Sequence, residues 1–382
     1  MGNTLTPLIP ILYSVFPFLH RELTGLIPSV TWDAKDERAA VNQSIYVPTA
    51  PTMTAENATP GTNPPDTGDN TFENEEVKIT KSRIVPFRWT GDEERSVASP
   101  GPGRMSLQQM QIFEAMRVLT SEVESDLATL YARSARAIGT AGTTPFASSI
   151  DLLVDAKKLF DDMGVPQGGR QLVMDSTAGA KMRKLTNLQK VNESGSPDML
   201  RNGVLENLMG FDLRESAQIK LHTAGGGTGY ELNGAHGTVG DTTLDVDTGS
   251  GTILAGDVLT LSGGTPADDV RYVVNSALSG GVVTIAKPGL KVAHANNDTV
   301  TLAASYRANM LFQRSAILLV TRPPAIPREG DQATDSMIVT DPVTGLAFEI
   351  RVYAQYRRVR YEIGLAWGCA NVHPAFTGLI LG

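Results

Sequence analysis

Residues 224–302 set the strongest limit on what this chain can become. Fifteen of its 37 glycines fall in these 79 residues, and no window there spaces apolar residues as a helix does. Short β-prone runs recur instead, at 243–246, 258–261, 270–274, 282–286 and 299–302, separated by Gly, Asp and Asn turns. Five or six strands at this spacing predict a small barrel or sandwich with its own core. Three basic residues stand against eight acidic ones, so the stretch carries −5 of the chain's net −8. Helix-and-strand texture lies on both sides. The all-β module is therefore read as an insertion within a host domain.

The host begins with an apolar run at 5–19, LTPLIPILYSVFPFL, interrupted by Pro7, Pro10 and Pro17. It is shorter than the roughly 20 residues of a membrane span and has no basic residue ahead of it. The expectation is an arm that packs on another surface, with no membrane contact. From Pro48 to Thr71 the composition turns to Thr, Pro, Asn, Asp and Gly without apolar periodicity. β-prone runs flank it, at 44–47 on one side and at 77–80 and 84–89 on the other. Two β arms carrying a tip of about 25 residues make a long projecting hairpin, and loops of that length tend to be functional.

The strongest helix signal follows Ser106. Leu107, Met110, Phe113, Met116, Val123, Leu127, Leu130 and Ile138 approximate the i, i+3, i+4, i+7 template, with Gly139 and Gly142 beyond. A helix of about 33 residues is a rod of roughly 50 Å, long enough to be a spine. Its other face, with Glu114, Arg117, Glu122, Glu124, Asp126, Arg133 and Arg136, reads as solvated or as interface. An amphipathic helix is expected over 149–163, with Leu152, Ala156, Leu159, Phe160 and Met163 inward. It leaves at Gly164 and Pro166. A strand follows at 171–174, then a helix capped by Asp175 or Ser176. Three β stretches are expected near the end, at 316–321, 347–355 and 357–367. Phe348, Ile350 and Val352 alternate there with Glu349, Arg351 and Tyr353.

Chemistry is hard to find. There is no G-x-S-x-G elbow, and His20, His222, His236, His294 and His373 are dispersed with no zinc-binding spacing. The single cysteine, Cys369, excludes an intramolecular disulfide and reads as core. Gly225-Gly226-Gly227-Thr228-Gly229 lacks the Lys-Ser/Thr ending of a phosphate loop and reads as a linker into the β module. Asp241, Asp245, Asp247, Asp268 and Asp269 are carboxylates in turns, where calcium is conceivable but solvated side chains are the plainer reading. Arg351, Arg357, Arg358 and Arg360, flanked by Tyr353, Tyr356 and Tyr361, are the most basic spot. Pairing across a subunit contact, or with Glu349 and Glu362, is favoured there over stacking on nucleic acid. With 33 basic residues against 41 acidic, the chain lacks the basic excess of a protein built to grip phosphates. The expected site inventory is empty: no catalytic residue, no cofactor, no metal, no enzyme.

The order of parts resembles the major capsid protein of tailed bacteriophages, the Hong Kong 97-like coat fold in its short-tailed-phage branch with an inserted β-barrel. Four stretches carry the resemblance. NLMGFDLRES at 207–216, leading to IKLHT at 219–223, is similar to the segment before the insertion. AGDV at 255–258, with Lys287-Pro288, follows the insertion's cadence. NMLFQRSAILLVTRP at 309–323 resembles the re-entry into the body, and GLAWG at 364–368 a closing strand.

The resemblance implies an α+β fold divided as follows: N-terminal arm 1–40, extended hairpin loop and peripheral strands 41–104, spine helix 105–142, axial domain 143–223, inserted β-barrel 224–302, and the rest of the axial and peripheral domains 303–382. It also implies a non-catalytic subunit that self-assembles into hexamers and pentamers of an icosahedral head around double-stranded DNA. Assembly would pass through a scaffolded precursor that expands on packaging, with the scaffolding protein as a separate chain. Scaffolding protein, portal protein and possibly a decoration protein are the implied partners, with DNA touching the inner wall weakly. The implied location is the virion, assembled in the bacterial cytoplasm. Lys78 and Lys81 lie near the hairpin without a cross-linking motif, so no isopeptide bond is expected. Two other readings stand beside this one: an encapsulin-type compartment shell, and a surface protein whose β module binds a glycan.

Overall fold

A 26-residue helix, Arg104–Thr129, runs behind two β-sheets. The computed structural model describes residues 22–34, 37–49, 73–98, 104–190, 207–264 and 266–382, with a few single positions between them. The apolar arm at 5–19 and most of the hairpin tip at 48–71 lie outside the described residues.

The helix buries Ile112, Phe113, Met116, Leu119, Val123 and Leu127 along one stripe, as an amphipathic sequence should. It ends earlier than its spacing suggests. Leu130–Arg133 is a 3-10 turn and Arg136–Ile138 is a strand. Strand pairing overrides helical spacing here, because Arg136–Ile138 lies parallel to Thr377–Leu381 and antiparallel to Arg271–Ser279. Met110 is 63% exposed, since the buried stripe is centred on Ile112 and Leu119. Two residues assigned to the solvated face are buried: Glu124 at 0% and Arg136 at 4% exposure. Glu124 accepts the backbone N–H groups of Gly25, Leu26 and Ile27, and Arg136 donates to the carbonyls of Gly289 and Ala135. Buried charges persist only with such partners.

One sheet is built around the 14-residue strand Arg358–Asn371. Lys81–Thr90 pairs along one edge of it; Ala347–Gln355 and Ile317–Arg322 share the other. Ala333–Thr340 and Thr31–Ala34 extend the two ends. The alternation at 347–355 is realised: Phe348, Ile350 and Val352 are buried. The second sheet runs Arg136–Ile138, Thr377–Leu381, Tyr306–Gln313, Arg170–Met174 and Phe211–Glu215. Helix Asp151–Asp162 covers it with Leu153, Ala156 and Phe160. Helix Ser176–Arg183 follows, with the Asp175 carboxylate accepting the Thr177 N–H at 3.1 Å, the expected cap.

The inserted stretch forms a closed six-stranded antiparallel barrel. Going round, Tyr230–Leu232, Thr243–Asp247, Val282–Ile285, Arg271–Ser279, Val258–Leu261 and Thr299–Leu302 each pair with the next, and the last pairs with the first. Closure removes the open edges that a small sheet would otherwise present. Leu244, Leu259, Tyr272, Val274 and Val283 fill its own core. Among the described residues, only Arg271 and Tyr272 continue the ladder into the host sheet, opposite Ala137 and Arg136.

Candidate functional site

Folding brings together residues that the sequence leaves far apart, first at the joint between barrel and body. Asp257, fully buried in a barrel turn, lies 2.7 Å from His222 Nε2 and accepts N–H groups from Gly225 and Leu254. The other ring nitrogen of His222 lies 2.9 Å from the Tyr131 hydroxyl. A Tyr–His–Asp series has the order of a nucleophilic relay, yet burial and the nearby Asp257 charge push the Tyr131 phenol above its ordinary pKa. That is opposite to activation. A Cβ on Gly256, whose φ is +93°, would sit 2.7 Å from the Tyr131 ring, so the backbone closes directly over the group. The series ties the end of the spine helix, the strand Leu221–His222 and the barrel into one joint.

A second centre sits inside the barrel. His294, with a fully buried side chain, lies between Asp298 at 2.9 Å and Asp268 at 3.2 Å. The Tyr272 hydroxyl donates to Asp268 at 2.6 Å, and the Arg136 guanidinium lies 4.6 Å over the Tyr272 ring. Burial pushes the Tyr272 phenol up and the Arg136 guanidinium down. Asp268, one of the turn carboxylates, is thus consumed internally, and Asp269 pairs with Lys291 at 2.9 Å. Among the described residues no group of three or more His, Cys, Asp or Glu side chains is arranged to hold a metal ion.

Gly225 to Gly229 packs against the barrel instead of forming a cradle. A Cβ on Gly225 would lie 2.2 Å from the Thr252 carbonyl oxygen, and Thr228 bridges Ser250. Cys369 packs beside the core, and burial pushes its thiol up to about 12. The arginine cluster divides. Arg351 holds Asp331 at 2.6 Å with Glu349 at 3.7 Å, and Arg360 pairs with Glu362, so pairing with Glu349 and Glu362 occurs within the subunit. Arg357 and Arg358 stay exposed at the hairpin turn beside Tyr356, which is 91% exposed. Sequence reasoning missed the two histidine centres. The local signals are the Gly256-Asp257 turn and the i,i+4 spacing of His294 and Asp298; the other partners lie dozens of residues away.

The two strands that flank the expected hairpin tip pair with each other. Ser44–Thr49 pairs with Glu73–Lys78, from Ser44 opposite Lys78 to Thr49 opposite Glu73. Its root is fixed: Val77 and Ile79 are buried against Val320, Ala366 and Val372, and the Thr80 N–H donates to the Trp367 carbonyl. Gly368 makes this possible, since a Cβ there would lie 1.9 Å from the Lys78 carbonyl oxygen. Below, the Lys81 ammonium and the Trp367 indole N–H both engage Asp126, at 2.7 and 2.8 Å. Farther out, Tyr46 is 64% exposed beside the exposed Glu75 and Glu76.

No protein-family model matches the chain. No curated protein matches it in sequence. Solved structures do match. A chain of the capsid structure of cyanophage P-SCSP1u aligns with 95% of this chain and 89% of its own length, at 12% identity and a TM-score of 0.50. A structure from Mycobacterium phage Che8 aligns over 95% and 92%, at 12% identity and 0.49. A virus-like particle from Pyrococcus furiosus aligns over 97% and 95%, at 9% identity and 0.38. The chain has the phage-capsid fold of the P-SCSP1u structure, α+β with the closed barrel inserted, as the sequence motifs implied.

Proposed function

We propose that this chain is a major capsid protein that assembles into hexamers and pentamers of an icosahedral phage head enclosing double-stranded DNA. The observation that carries the reading is the correspondence with a phage capsid chain along nearly the whole sequence. The buried root of the strand pair Ser44–Thr49 and Glu73–Lys78 supports it, because a hairpin anchored there would gain order when a neighbour covers it. So does the internal character of both histidine centres, which hold segments together and leave no nucleophile beside a substrate cleft. In this reading the subunit catalyses nothing. Many weak, repeated contacts close the shell.

Residues 1–40 serve as an arm, 41–104 as the lapping hairpin, 105–142 as the rigid spine segment, and 143–223 with 303–382 as the axial and peripheral parts. The barrel at 224–302 stabilises the subunit or contacts an adjacent capsomer. A scaffolding protein and a portal guide a precursor shell that expands as DNA enters, the chain resides in the virion after assembly in the host cytoplasm, and an excess of acidic residues keeps the packaged DNA from binding the wall tightly. Negative-stain microscopy of the purified full chain, with light scattering after size exclusion, tests the reading. Round shells, tubes or spirals of megadalton mass are expected. A monomer near 41 kDa that persists at high concentration and under crowding overturns it.

A further inference from the structure

One corner of the long-strand sheet carries opposite charges side by side. Strand Lys81–Thr90 ends there and turns into helix Gly91–Ala98, whose first turn holds Asp92, Glu93 and Glu94. Glu93 is engaged locally: it accepts the Thr90 N–H at 2.8 Å while its own N–H reaches Thr90 Oγ1, a capping box. Asp92 is exposed and, among the described residues, has no cation within ion-pair distance.

The basic half faces it across the ladder. Arg358 lies opposite Thr90, and Arg360 lies opposite Arg88. Two like charges directly across a ladder are unfavourable unless a counter-charge intervenes. Glu362 satisfies Arg360, although the Arg360 Nε is buried without a hydrogen-bond acceptor. Arg358 donates from Nε to Gln355 Oε1 at 2.6 Å and, after the bonds from Thr90, the Arg88 charge helps hold the Glu93 carboxyl low, yet neither arginine makes a direct ion pair among the described residues. They line a cleft of about 310 Å³ with Phe87 and Arg360. A neighbouring cleft of about 560 Å³ joins Asp92 to Tyr356, Arg357 and Arg358.

We infer that this corner is a self-complementary contact between copies of the chain, in which Asp92 of one copy pairs with the Arg88–Arg358 cleft of the next and Tyr356 is the aromatic anchor. Because both charges sit at one corner, each copy supplies both halves and the contact closes about a two-fold axis. An exposed tyrosine flanked by arginine is the composition that dominates protein interfaces. A nucleic acid is the poorer occupant, because the exposed Asp92 would face its phosphates. The inference rests on the capsid reading, as the shell supplies the second copy.

Charge exchange tests it. Assembly of the full chain is followed by light scattering and negative stain at low and high salt, with circular dichroism and unfolding midpoints as controls. Arg358→Glu alone and Asp92→Arg alone are each expected to slow assembly at least tenfold at low salt. The double swap, and an equimolar mixture of the two single variants, which can rejoin opposite charges only between copies, are each expected to restore the rate to within about threefold of wild type; a mixture that restores nothing overturns the inference. Either single variant assembling at the wild-type rate overturns the inference, as does a folded double swap that restores nothing. Should the swap fail to fold, the neutral pair Arg358→Gln and Asp92→Asn takes its place: non-additive effects on rate support the contact, and additive effects overturn it. Shells that form normally in the single variants but retain less DNA point to phosphate at the cleft and also overturn it. A wild-type chain that never assembles removes the capsid reading itself, whereas a wild type and reversals that assemble equally remove only this contact.

Discussion

The Glu124 carboxyl, buried on the spine helix, accepts the Leu26 backbone N–H at 2.7 Å, and takes those of Gly25 and Ile27 as well. One side chain thus satisfies the start of the 3-10 turn Ile27–Ser29, where no intrahelical partner exists. Glu124→Ala leaves three donors buried and unmatched, and is expected to lower subunit stability by about 3 kcal/mol or more. Glu124→Gln keeps one acceptor oxygen and is expected to lose roughly half as much. Urea unfolding of dissociated subunits measures both, and equal losses would show that the carboxyl's acceptor role has been misread.

Gly368 sits where the hairpin root crosses the central strand, with the Lys78 carbonyl where a Cβ would stand. Gly368→Ala is expected to destabilise the subunit by about 1–3 kcal/mol, because the root must shift. The hairpin leaves from that root, so shell yield is expected to fall further than the unfolding midpoint implies. Yield tracking stability alone would disconnect the root from assembly.

Much of this arrangement was legible in the sequence, for reasons that also explain the gaps. The barrel announced itself because its strands and turns are local, and the alternation at Phe348, Ile350 and Val352 records one buried face. The spine helix was legible up to Leu127. Beyond it, Arg136 and Ile138 keep helical spacing while their true partners, Gly378 and Ile380, lie more than 200 residues away. Glu124 looked solvated for the same reason: nothing near it in sequence tells of the donors at 25–27. Strand Ala333–Thr340 is half polar, paired on a single side, and has Met337, Ile338 and Val339 in succession, so periodicity gave no signal for it. Long-range polar partners leave no local trace: the His222–Asp257 pair is one, and of the two carboxylates on His294 only Asp298 is near in sequence.

Cys369 offers a compact check on packing near the hairpin root. Burial holds its thiol near 12, with the Asp126 charge adding to the effect, so almost no thiolate exists at neutral pH. Iodoacetamide at pH 8 is expected to label the native subunit at least tenfold more slowly than the urea-unfolded chain. Comparable rates would mean that the strand Arg358–Asn371 is loosely covered there.

Asp331 and Tyr353 set opposite ends of the pH profile. Burial pushes Asp331 upward, but the Ala333 N–H, the Tyr353 hydroxyl and Arg351 outweigh it and hold the carboxyl below its ordinary 3.8. A depressed carboxyl contributes stability that is present above its unfolded value and lost as pH falls through the folded one. Tyr353 is shifted the other way, from 10 to about 12, by burial and by its bond to Asp331. That contribution is complete below pH 10 and lost as pH rises from 10 toward 12. As far as this pair contributes, subunit stability is expected to be flat between about pH 5 and 9, falling below about 4 and above about 10. Asp331→Asn removes the acid-side contribution and brings the Tyr353 titration, read by its ultraviolet absorbance, back toward 10. A Tyr353 titration that stays near 12 in that variant would assign the alkaline shift to burial alone and break the coupling.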